Sequence, residues 1–352
     1  MPETTTPETT TPETAPEPPA DVVQLMNMLT GGAVVQILHA VVRLNIVDHL
    51  ADEPRTAKEV AGRENSHEGA TYRLMRAAAS LGVLSYEGDG RFGLTGRGQL
   101  LRAGVPGSLR SLLLIQAGPS HWGAWGLFPE AVREGASQVR KVLGEDIFDY
   151  YGRPENAETA RVFADAMSDM SALVTHGVAA RADVKGATTA VDVGGADGHL
   201  VLTLMETDPA LRGQVLDLPH AVGGAVREAG RRGLSDRFTG VGGDFFTEVP
   251  TGDLHLLKTV LHDWDDERCT RILSNCRAAS RAGGRALVVE TIVGELGKPD
   301  FAAISDMAML CVTGGVERDL DEFDALFTAT GWRRGRTYPV GGGYSCMEVE
   351  AV

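Results

Sequence analysis

Residues 189–199 read TAVDVGGADGH and decide the fold. A short apolar run ends at a group of glycines before a new apolar segment begins. The glycines are Gly194, Gly195 and Gly198. This pattern predicts a buried strand, a tight turn and a helix, and the glycines let a ligand approach the backbone closely. A dinucleotide fingerprint would need glycine in place of Ala196 and His199, and no Gly-Lys-Ser/Thr follows. NAD and a triphosphate are therefore disfavoured, which leaves a nucleoside with a compact, mostly uncharged attachment.

From residue 188 onward, short β-rich runs alternate with segments of helical spacing. Such alternation is typical of an α/β fold with a doubly wound sheet and helices on both faces. We therefore predict a Rossmann-like sheet within residues 181–352, with its ligand beyond the carboxyl ends of the strands. The predicted strand segments are 188–195, 213–219, 237–246, 253–263, 285–293, 333–340 and 345–352.

Acidic and aromatic residues follow the second and third predicted strands. Asp217 lies 23 positions past Gly194, where a carboxylate can accept hydrogen bonds from both hydroxyls of a ribose. Asp244 and Phe245 offer a polar anchor for an adenine amino group beside an apolar plate for its ring. Each residue alone reads more simply as a strand-end turn residue. Together, the three strand ends repeat the layout of S-adenosylmethionine sites.

The fourth predicted strand runs into the sequence LLKTVLHDWDDERC. This order brings Lys258 and His262 to the mouth of the sheet, next to the expected cofactor. Histidine is the side chain best suited to accept a proton near neutral pH, although a lone histidine is more often structural. Asp265 and Asp266 are predicted to cap the following helix, which we expect to end near Gly283.

The N-terminal third has a different pattern. Residues 1–20 are a Pro-Glu-Thr near-repeat, which predicts a disordered, solvated tail. Residues 21–106 begin with apolar residues at helical spacing, which we expect Gly31 and Gly32 to break and a partner chain to cover in part. A short helix, a second helix ending at Gly82 and two strands follow, in the order of a winged helix. Basic and acidic side chains are equal in number in this segment, which favours a dimerising role over DNA binding.

Composition limits the possible partners. The net charge of -15 disfavours nucleic acid. The apolar run 31–42 is shorter than the roughly 18 residues that a membrane span needs, and residues 1–20 lack the features of a signal peptide, so we expect cytoplasmic residence. The four cysteines have no metal-like spacing and are predicted to lie in or near the core. Residues 107–180 are helical in pattern and rich in aromatic side chains, so they can line a large apolar pocket.

The chain resembles a known family at a set of ordered motifs. LLKTVLHDWDDERC is preceded by DVGGADG, DLP and GGDFF, and it is followed by ETIV and TGGVERDLDEFDALFTATGW. This set is similar to the plant and bacterial small-molecule O-methyltransferases that carry an N-terminal winged-helix dimerisation domain, above all to the members that tailor polyketides and antibiotics. The resemblance runs from about Val22 to the C-terminus. It implies a class I methyltransferase fold, S-adenosylmethionine as cofactor and a homodimer.

The resemblance also implies roles for individual residues. His262 matches the family's general base, and Glu290 and Glu317 match the two acidic residues that flank and orient its imidazole. The residues that match cofactor positions are Ser171, Gly194, Asp217, Asp244, Phe245 and Lys258. The residues that align with substrate-pocket positions are Phe163, Met167, Met170 and Met307. Two departures are the turn GGADG, where GGGxG is commoner, and Phe245, where plant members often have methionine.

These patterns predict methyl transfer from S-adenosylmethionine to a phenolic or enolic hydroxyl of a small aromatic secondary metabolite. No metal is expected, since the sequence shows no clustered carboxylates. One alternative is the same fold diverted to hydroxylation, decarboxylation or cyclisation, which the intact His262, Glu290 and Glu317 disfavour. A second alternative is a ligand-sensing DNA-binding regulator, which the balanced charge of residues 21–106 disfavours.

Overall fold

The computed structural model describes residues 19–352, so nearly all of the predicted tail lies outside the described residues. The helices in this range are α1 (Ala20–Arg43), α2 (Ile46–His49), α3 (Ala57–Glu64), α4 (Glu68–Ser80), α5 (Gly96–Gln99), α6 (Arg110–Gln116), α7 (Pro119–Trp125), α8 (Phe128–Glu134), α9 (Val139–Leu143), α10 (Ile147–Gly152), α11 (Ala157–Ala179), α12 (His199–Thr207), α13 (Gly223–Arg231), α14 (Asp266–Ala279), α15 (Phe301–Val312) and α16 (Leu320–Ala329). The strands are β1 (Arg55–Thr56), β2 (Leu84–Gly88), β3 (Arg91–Leu94), β4 (Thr189–Val193), β5 (Arg212–Asp217), β6 (Phe238–Gly242), β7 (Gly252–Lys258), β8 (Ser280–Thr291), β9 (Trp332–Gly341) and β10 (Tyr344–Ala351).

The N-terminal part has the predicted winged-helix order. Helices α3 and α4 are followed by β2 and β3, and with β1 these strands form a small sheet in the order β1-β3-β2. Thr56 and Glu59 form a reciprocal capping box that fixes the start of α3. The core of this part packs α1 and α4 against the small sheet through buried side chains such as Val41, Met75 and Phe92.

The predicted break at Gly31 and Gly32 is wrong, because α1 runs unbroken from Ala20 to Arg43. A Cβ added at Gly32 would lie 3.7 Å from the Trp122 ring, which is ordinary van der Waals contact, so the helix packs against this indole without interruption. The uninterrupted helix also overturns the expectation that the apolar run is too short. By length and composition alone, α1 could cross a membrane.

The C-terminal part contains a seven-stranded sheet in the order β6-β5-β4-β7-β8-β10-β9, as a doubly wound fold predicts. The first five of these strands are parallel, whereas β10 runs antiparallel to both of its neighbours. One buried cluster packs α12 and α13 on the sheet, and a second packs α14 and α16. The chain order reverses at β4, which has β5 on one side and β7 on the other. The carboxyl ends of these strands therefore border the crevice where such folds bind ligands.

The end of α14 differs from the prediction. The helix ends at Ala279 and not near Gly283, and β8 begins at once with Ser280, which pairs with Gly252 of β7. The pairing of β7 with β8 shifts its register between Ser280 and Arg285. Gly283, which has a φ of +73°, lies in this irregular part of β8. The prediction for the cysteines is confirmed, since all four are free and buried.

Helix α11 lies so close to β9 that a side chain is excluded between them. A Cβ at Gly177 would overlap the carbonyl oxygen of Val340. We expect Gly177→Ala to lower the free energy of unfolding by about 1–3 kcal/mol, because either the helix or the strand must move. The matched control is Gly62→Ala in α3, where a Cβ meets nothing within 4 Å. That change should raise the free energy of unfolding by up to about 1 kcal/mol. Urea unfolding measures both, and equal effects would contradict this packing.

Candidate active site

The turn after β4 forms a compact cradle. Gly194 has a φ of +69°, and a Cβ there would lie 3.0 Å from Val260 and 3.6 Å from the Phe245 ring. A Cβ at Gly195 would press on the Asp192 carboxyl at 2.6 Å. Side chains at these two positions would therefore collide with Val260 and with Asp192, so the turn requires glycine at both. The structure thus brings two predicted cofactor residues, Gly194 and Phe245, next to each other.

Asp217 ends β5 and faces this turn. Its carboxylate accepts hydrogen bonds from the backbone N–H of Ala196 at 2.8 Å and of Leu218 at 2.7 Å. Burial raises the pKa of Asp217, and these two hydrogen bonds oppose that rise by stabilising the carboxylate. The same contacts fix the carboxylate at the end of β5, beside the glycine turn.

The next strand end presents an acidic and an aromatic side chain. Asp244 is exposed, and one of its oxygens accepts a hydrogen bond from the Phe246 N–H at 2.8 Å. Phe245 contacts Phe246 edge to face at 4.8 Å between ring centroids, and Trp264 at 6.1 Å. Trp264 was not among the predicted site residues, although it follows His262 by only two positions. The wall beside Gly194 is therefore more aromatic than the sequence predicted.

Asp192 is buried beside the glycine turn, and the partly buried Lys258 is close enough for the two opposite charges to interact. Burial lowers the pKa of Lys258 and raises that of Asp192, and each charge opposes the shift of the other. Oδ2 of Asp192 accepts the Val201 N–H at 3.3 Å, while Oδ1 has no hydrogen-bond partner among the described residues. Asp192 was also missed, and the available signal was a lone charge inside the fully buried strand TAVDV. An unpartnered buried oxygen beside a glycine cradle fits a ligand that carries donor groups.

His262 lies in residues 259–264, which follow β7, contain the 3-10 turn Leu261–Asp263 and are called the His262 turn below. Its Nδ1 is 3.3 Å from Oε1 of Glu317 and 3.6 Å from Oε2 of Glu290. The imidazole is 14% exposed, whereas the two carboxylates are 1% and 0% exposed. His262, Glu290 and Glu317, which are up to 55 positions apart in the sequence, thus lie together at the edge of the sheet, as the resemblance implied.

Both glutamates are fixed by hydrogen bonds. Oε1 of Glu290 accepts the backbone N–H groups of Val260 at 3.0 Å and Leu261 at 2.8 Å. Glu317 accepts the hydroxyls of Ser305 and Thr291. Neither hydroxyl residue was predicted, and no sequence pattern marks them, since they come from α15 and β8. The carboxylates therefore have one orientation relative to the imidazole, and Nδ1 is the nitrogen that faces them.

Burial and the neighbouring carboxylates have opposite effects on the pKa of His262. Burial is the largest influence on the imidazole and disfavours its charged form, but the carboxylates of Glu290, Asp263 and Glu317 together outweigh it and raise the pKa of His262. Burial likewise raises the pKa of Glu290. Burial also acts to raise the pKa of Glu317, but the hydrogen bond and charge of His262, with its hydroxyl donors, hold that pKa below the ordinary value.

The expectation of no carboxylate cluster is wrong. Donor atoms of His262, Glu290 and Glu317 lie within 4.8 Å of one another, a spacing that a metal ion could also use. Three of the four carboxylate oxygens, however, already accept hydrogen bonds from the protein, and the fourth, Oε2 of Glu290, faces Nδ1. The arrangement is thus one in which an imidazole N–H has two possible acceptors.

The predicted pocket residues lie mainly on α11. Phe163 stacks on Tyr151 with 4.6 Å between ring centroids, while Met170 packs against the buried cluster beneath the sheet. Ser171, which was predicted to bind the cofactor, is also on this helix; it is buried, and its hydroxyl lies 3.4 Å from that of Thr175. The other two predicted pocket residues, Met167 on α11 and Met307 on α15, are partly buried. The α11 residues are thus near one another by helix spacing.

The reversed strand order, the glycine turn, the acidic strand ends and the antiparallel last strand together define a class I methyltransferase. Comparison with known proteins agrees with this class. The family model for the O-methyltransferase domain matches residues 125–333, and that for the O-methyltransferase dimerisation domain matches residues 26–103. This chain belongs to the S-adenosylmethionine-dependent O-methyltransferase family that tailors antibiotics and other secondary metabolites.

Three relatives illustrate the similarity. The phenazine O-methyltransferase PhzM of Lysobacter antibioticus is 35% identical over 329 residues, which cover 93% of this chain and 96% of the relative. The mitomycin biosynthesis 6-O-methyltransferase of Streptomyces lavendulae is 33% identical, with 90% of each chain covered. A solved O-methyltransferase from neocarzinostatin biosynthesis, in complex with S-adenosylmethionine and 2-hydroxy-5-methyl naphthoic acid, has a TM-score of 0.81 at 30% identity, over 91% of this chain and 96% of that one.

We expect Asp217→Ala to weaken binding of S-adenosylhomocysteine by about 10- to 100-fold, because hydrogen bonds to a charged group contribute about 1.5–3 kcal/mol. Isothermal titration calorimetry measures the change. The matched control is Asp208→Ala, just before the amino end of β5, where the carboxylate accepts only the nearby Ala210 N–H. An unchanged affinity in the Asp217 variant would contradict the assignment.

Proposed function

We propose that this protein transfers a methyl group from S-adenosylmethionine to a phenolic or enolic hydroxyl of a small aromatic metabolite, with His262 as the general base. Residues 181–352 then hold the cofactor, residues 107–180 contribute the acceptor pocket, and residues 21–106 form the dimer. The observation that carries the proposal is the orientation of His262, whose Nδ1 faces Glu290 and Glu317.

This orientation assigns the two ring nitrogens different roles. An Nδ1–H donated to the carboxylates leaves the lone pair of a neutral imidazole on Nε2. Nε2 is 3.9 Å from Asp263, which is beyond hydrogen-bond distance, so it remains free to accept a proton from a substrate hydroxyl. Glu290 and Glu317 stabilise the imidazolium that forms, as a buried carboxylate does in a hydrolase triad.

The cofactor, when bound, supplies a methyl group that its sulfonium makes electrophilic. The chain's own residues then have to orient the cofactor and manage one proton. Asp217 is placed to bind the ribose, and Asp244 and Phe245 the adenine. Ser171 and Lys258 match the family positions near the rest of the cofactor. His262 functions only when neutral, and its carboxylates raise its pKa, so the methylation rate should rise with pH through that pKa.

An aromatic acceptor is supported by the aromatic side chains around the site and by the relatives. Phe148 of α10 stacks on Trp264 with 5.6 Å between centroids, which joins the helical region to the turn that carries His262. Names of the relatives include a phenazine and a mitomycin, and the naphthoate was bound to a third protein. A fused aromatic ring with a free hydroxyl is therefore the acceptor class to test first.

We expect His262→Ala to lower kcat by about 100- to 10,000-fold, because general-base catalysis contributes that range. Affinity for S-adenosylhomocysteine should not change, since cofactor and proton are handled by different residues. The assay uses S-adenosylmethionine with a labelled methyl group and a panel of hydroxylated phenazines and naphthoates. O-methylated versions of the same acceptors, which have no free hydroxyl, are the chemical controls.

The matched control for this variant is His176→Ala, an exposed histidine on α11 whose ring lies 3.3 Å from the Ala172 carbonyl oxygen and contacts none of the three residues of the His262 cluster. It should keep wild-type kinetics. Undiminished turnover in the His262 variant would refute its role as base. Consumption of cofactor or acceptor without an added methyl group would instead favour the diverted chemistry.

We also infer a homodimer formed through α1. The amino-terminal half of this helix exposes apolar side chains that no other described element covers, and the dimerisation-domain match begins within it. These side chains are Val22, Val23, Leu25, Met26, Met28 and Leu29. A second copy of the chain would remove this patch from water. Cytoplasmic residence stays a prediction from the sequence.

We expect Leu29→Glu to shift the protein from dimer to monomer in sedimentation velocity at micromolar concentration. Leu29 is 75% exposed in the single chain, and a charge there would be buried in the dimer. Leu296→Glu is the matched control, because Leu296 is 94% exposed in a loop remote in sequence from α1. A monomeric wild-type protein, or a dimeric Leu29 variant, would contradict the inference.

A further inference from the structure

Arg318 is a buried arginine directly after Glu317, and the mechanism above does not use it. It is 1% exposed and makes five hydrogen bonds. Two of them go to the Asp266 carboxylate, one to the Val316 carbonyl, and the other two to the carbonyls of Leu261 at 3.1 Å and Trp264 at 2.9 Å. The last two carbonyls flank His262 on either side in the chain.

The turn that Arg318 binds begins with a strained residue. Thr259 has a φ of +54°, a region that a β-branched side chain rarely adopts. Such conformations persist only where the surrounding structure holds them. Here Glu290 binds the N–H groups at the start of the turn, and Arg318 binds carbonyls in its middle and at its end.

A second contact ties the same segment to the same turn. A Cβ at Gly315 would overlap the carbonyl oxygen of His262, and the Val316 N–H donates to that oxygen at 2.9 Å. Residues 315–318 therefore lie directly against the His262 turn. Glu317 belongs to this segment, so the contacts that hold the segment also set the 3.3 Å separation between its carboxylate and Nδ1 of His262.

We propose that Arg318 is a positioning residue that holds the His262 imidazole against Glu317. The inference rests on the proposed role of His262 as base. Lysine cannot replace Arg318 here, because the three N–H donors of one ammonium cannot serve three carbonyls and a carboxylate along the directions that the planar guanidinium provides.

The pH dependence of kcat/KM distinguishes the two possible roles of Arg318, because loss of a purely structural residue would not shift it. The groups that face the imidazole are Glu290 on β8, Glu317, and Asp263 on the turn itself. Lys258 on β7 and Tyr344 on β10 lie close to these carboxylates, since the charge of Glu290 acts to raise the pKa of both residues. When the turn separates from Glu317, one of the carboxylates that favour the imidazolium is lost. The acidic limb of the kcat/KM profile should therefore move to lower pH.

The test compares Arg318→Lys with the wild-type protein. We expect kcat to fall at least about tenfold, because displacement of a catalytic group by about 1 Å can cost a hundredfold. KM for S-adenosylmethionine and binding of S-adenosylhomocysteine should not change, and the acidic limb should move to lower pH. In a His262→Ala background the same change should have little further effect, because the residue that it positions is gone.

The matched control is Arg334→Lys, an arginine on β9 that binds both oxygens of Asp324 but no residue of the turn. It should leave kcat and the pH profile unchanged. If Arg318→Lys does not fold, Asp266→Asn decides instead. That exposed carboxylate anchors Arg318, and its loss should move the limb in the same direction by a smaller amount.

The outcomes separate this inference from the proposed function. A His262→Ala variant with full activity would overturn the role of the base itself. A His262→Ala variant without activity, combined with a folded Arg318→Lys variant of wild-type kcat and unshifted pH limb, would overturn the positioning role alone. Equal losses from Arg318→Lys in the wild-type and His262→Ala backgrounds would also overturn it.

Discussion

The contact of one imidazole nitrogen with two buried carboxylates is the constraint on which the site depends. Glu290 reaches His262 because β8 lies beside β7, and Glu317 reaches it because residues 315–318 lie against the turn after β7. Buried carboxylates are costly unless they are paired or hydrogen-bonded. The hydroxyl and backbone groups that donate hydrogen bonds to them offset that cost, and Nε2 of the imidazole faces away from the carboxylates.

The same sheet brings the proposed cofactor residues close to His262, the proposed base. Strand β4 ends at the glycine cradle, and its neighbours β5 and β7 end at Asp217 and at the His262 turn. Because the carboxyl ends of parallel strands meet at one edge, a methyl donor and a proton acceptor can face one acceptor molecule there. Aromatic contacts from α10 to Trp264 extend this edge toward the helical region.

Much of this arrangement could be predicted from the sequence, because strand ends and glycine turns are local features. The sheet and the winged-helix order belong to this group, whereas the pairing of His262 with Glu290 and Glu317 was implied only by the family resemblance. Other features depend on tertiary contacts that local patterns do not contain. Gly31 and Gly32 were predicted to break a helix that in the structure continues through both, and the burial of Arg318 depends on its contacts with the His262 turn. The start of β8 at Ser280 likewise depends on its pairing with β7.

The most direct measurement is a crystal structure of the complex with S-adenosylhomocysteine and a hydroxylated aromatic acceptor. We expect Nε2 of His262 to lie about 3 Å from the acceptor hydroxyl, which is hydrogen-bond distance for a general base. Nδ1 should still face Glu317 and Glu290, and the sulfur should lie on the other side of the hydroxyl oxygen. An acceptor bound with its hydroxyl away from His262, or an imidazole turned so that Nε2 faces the glutamates, would contradict the central claim.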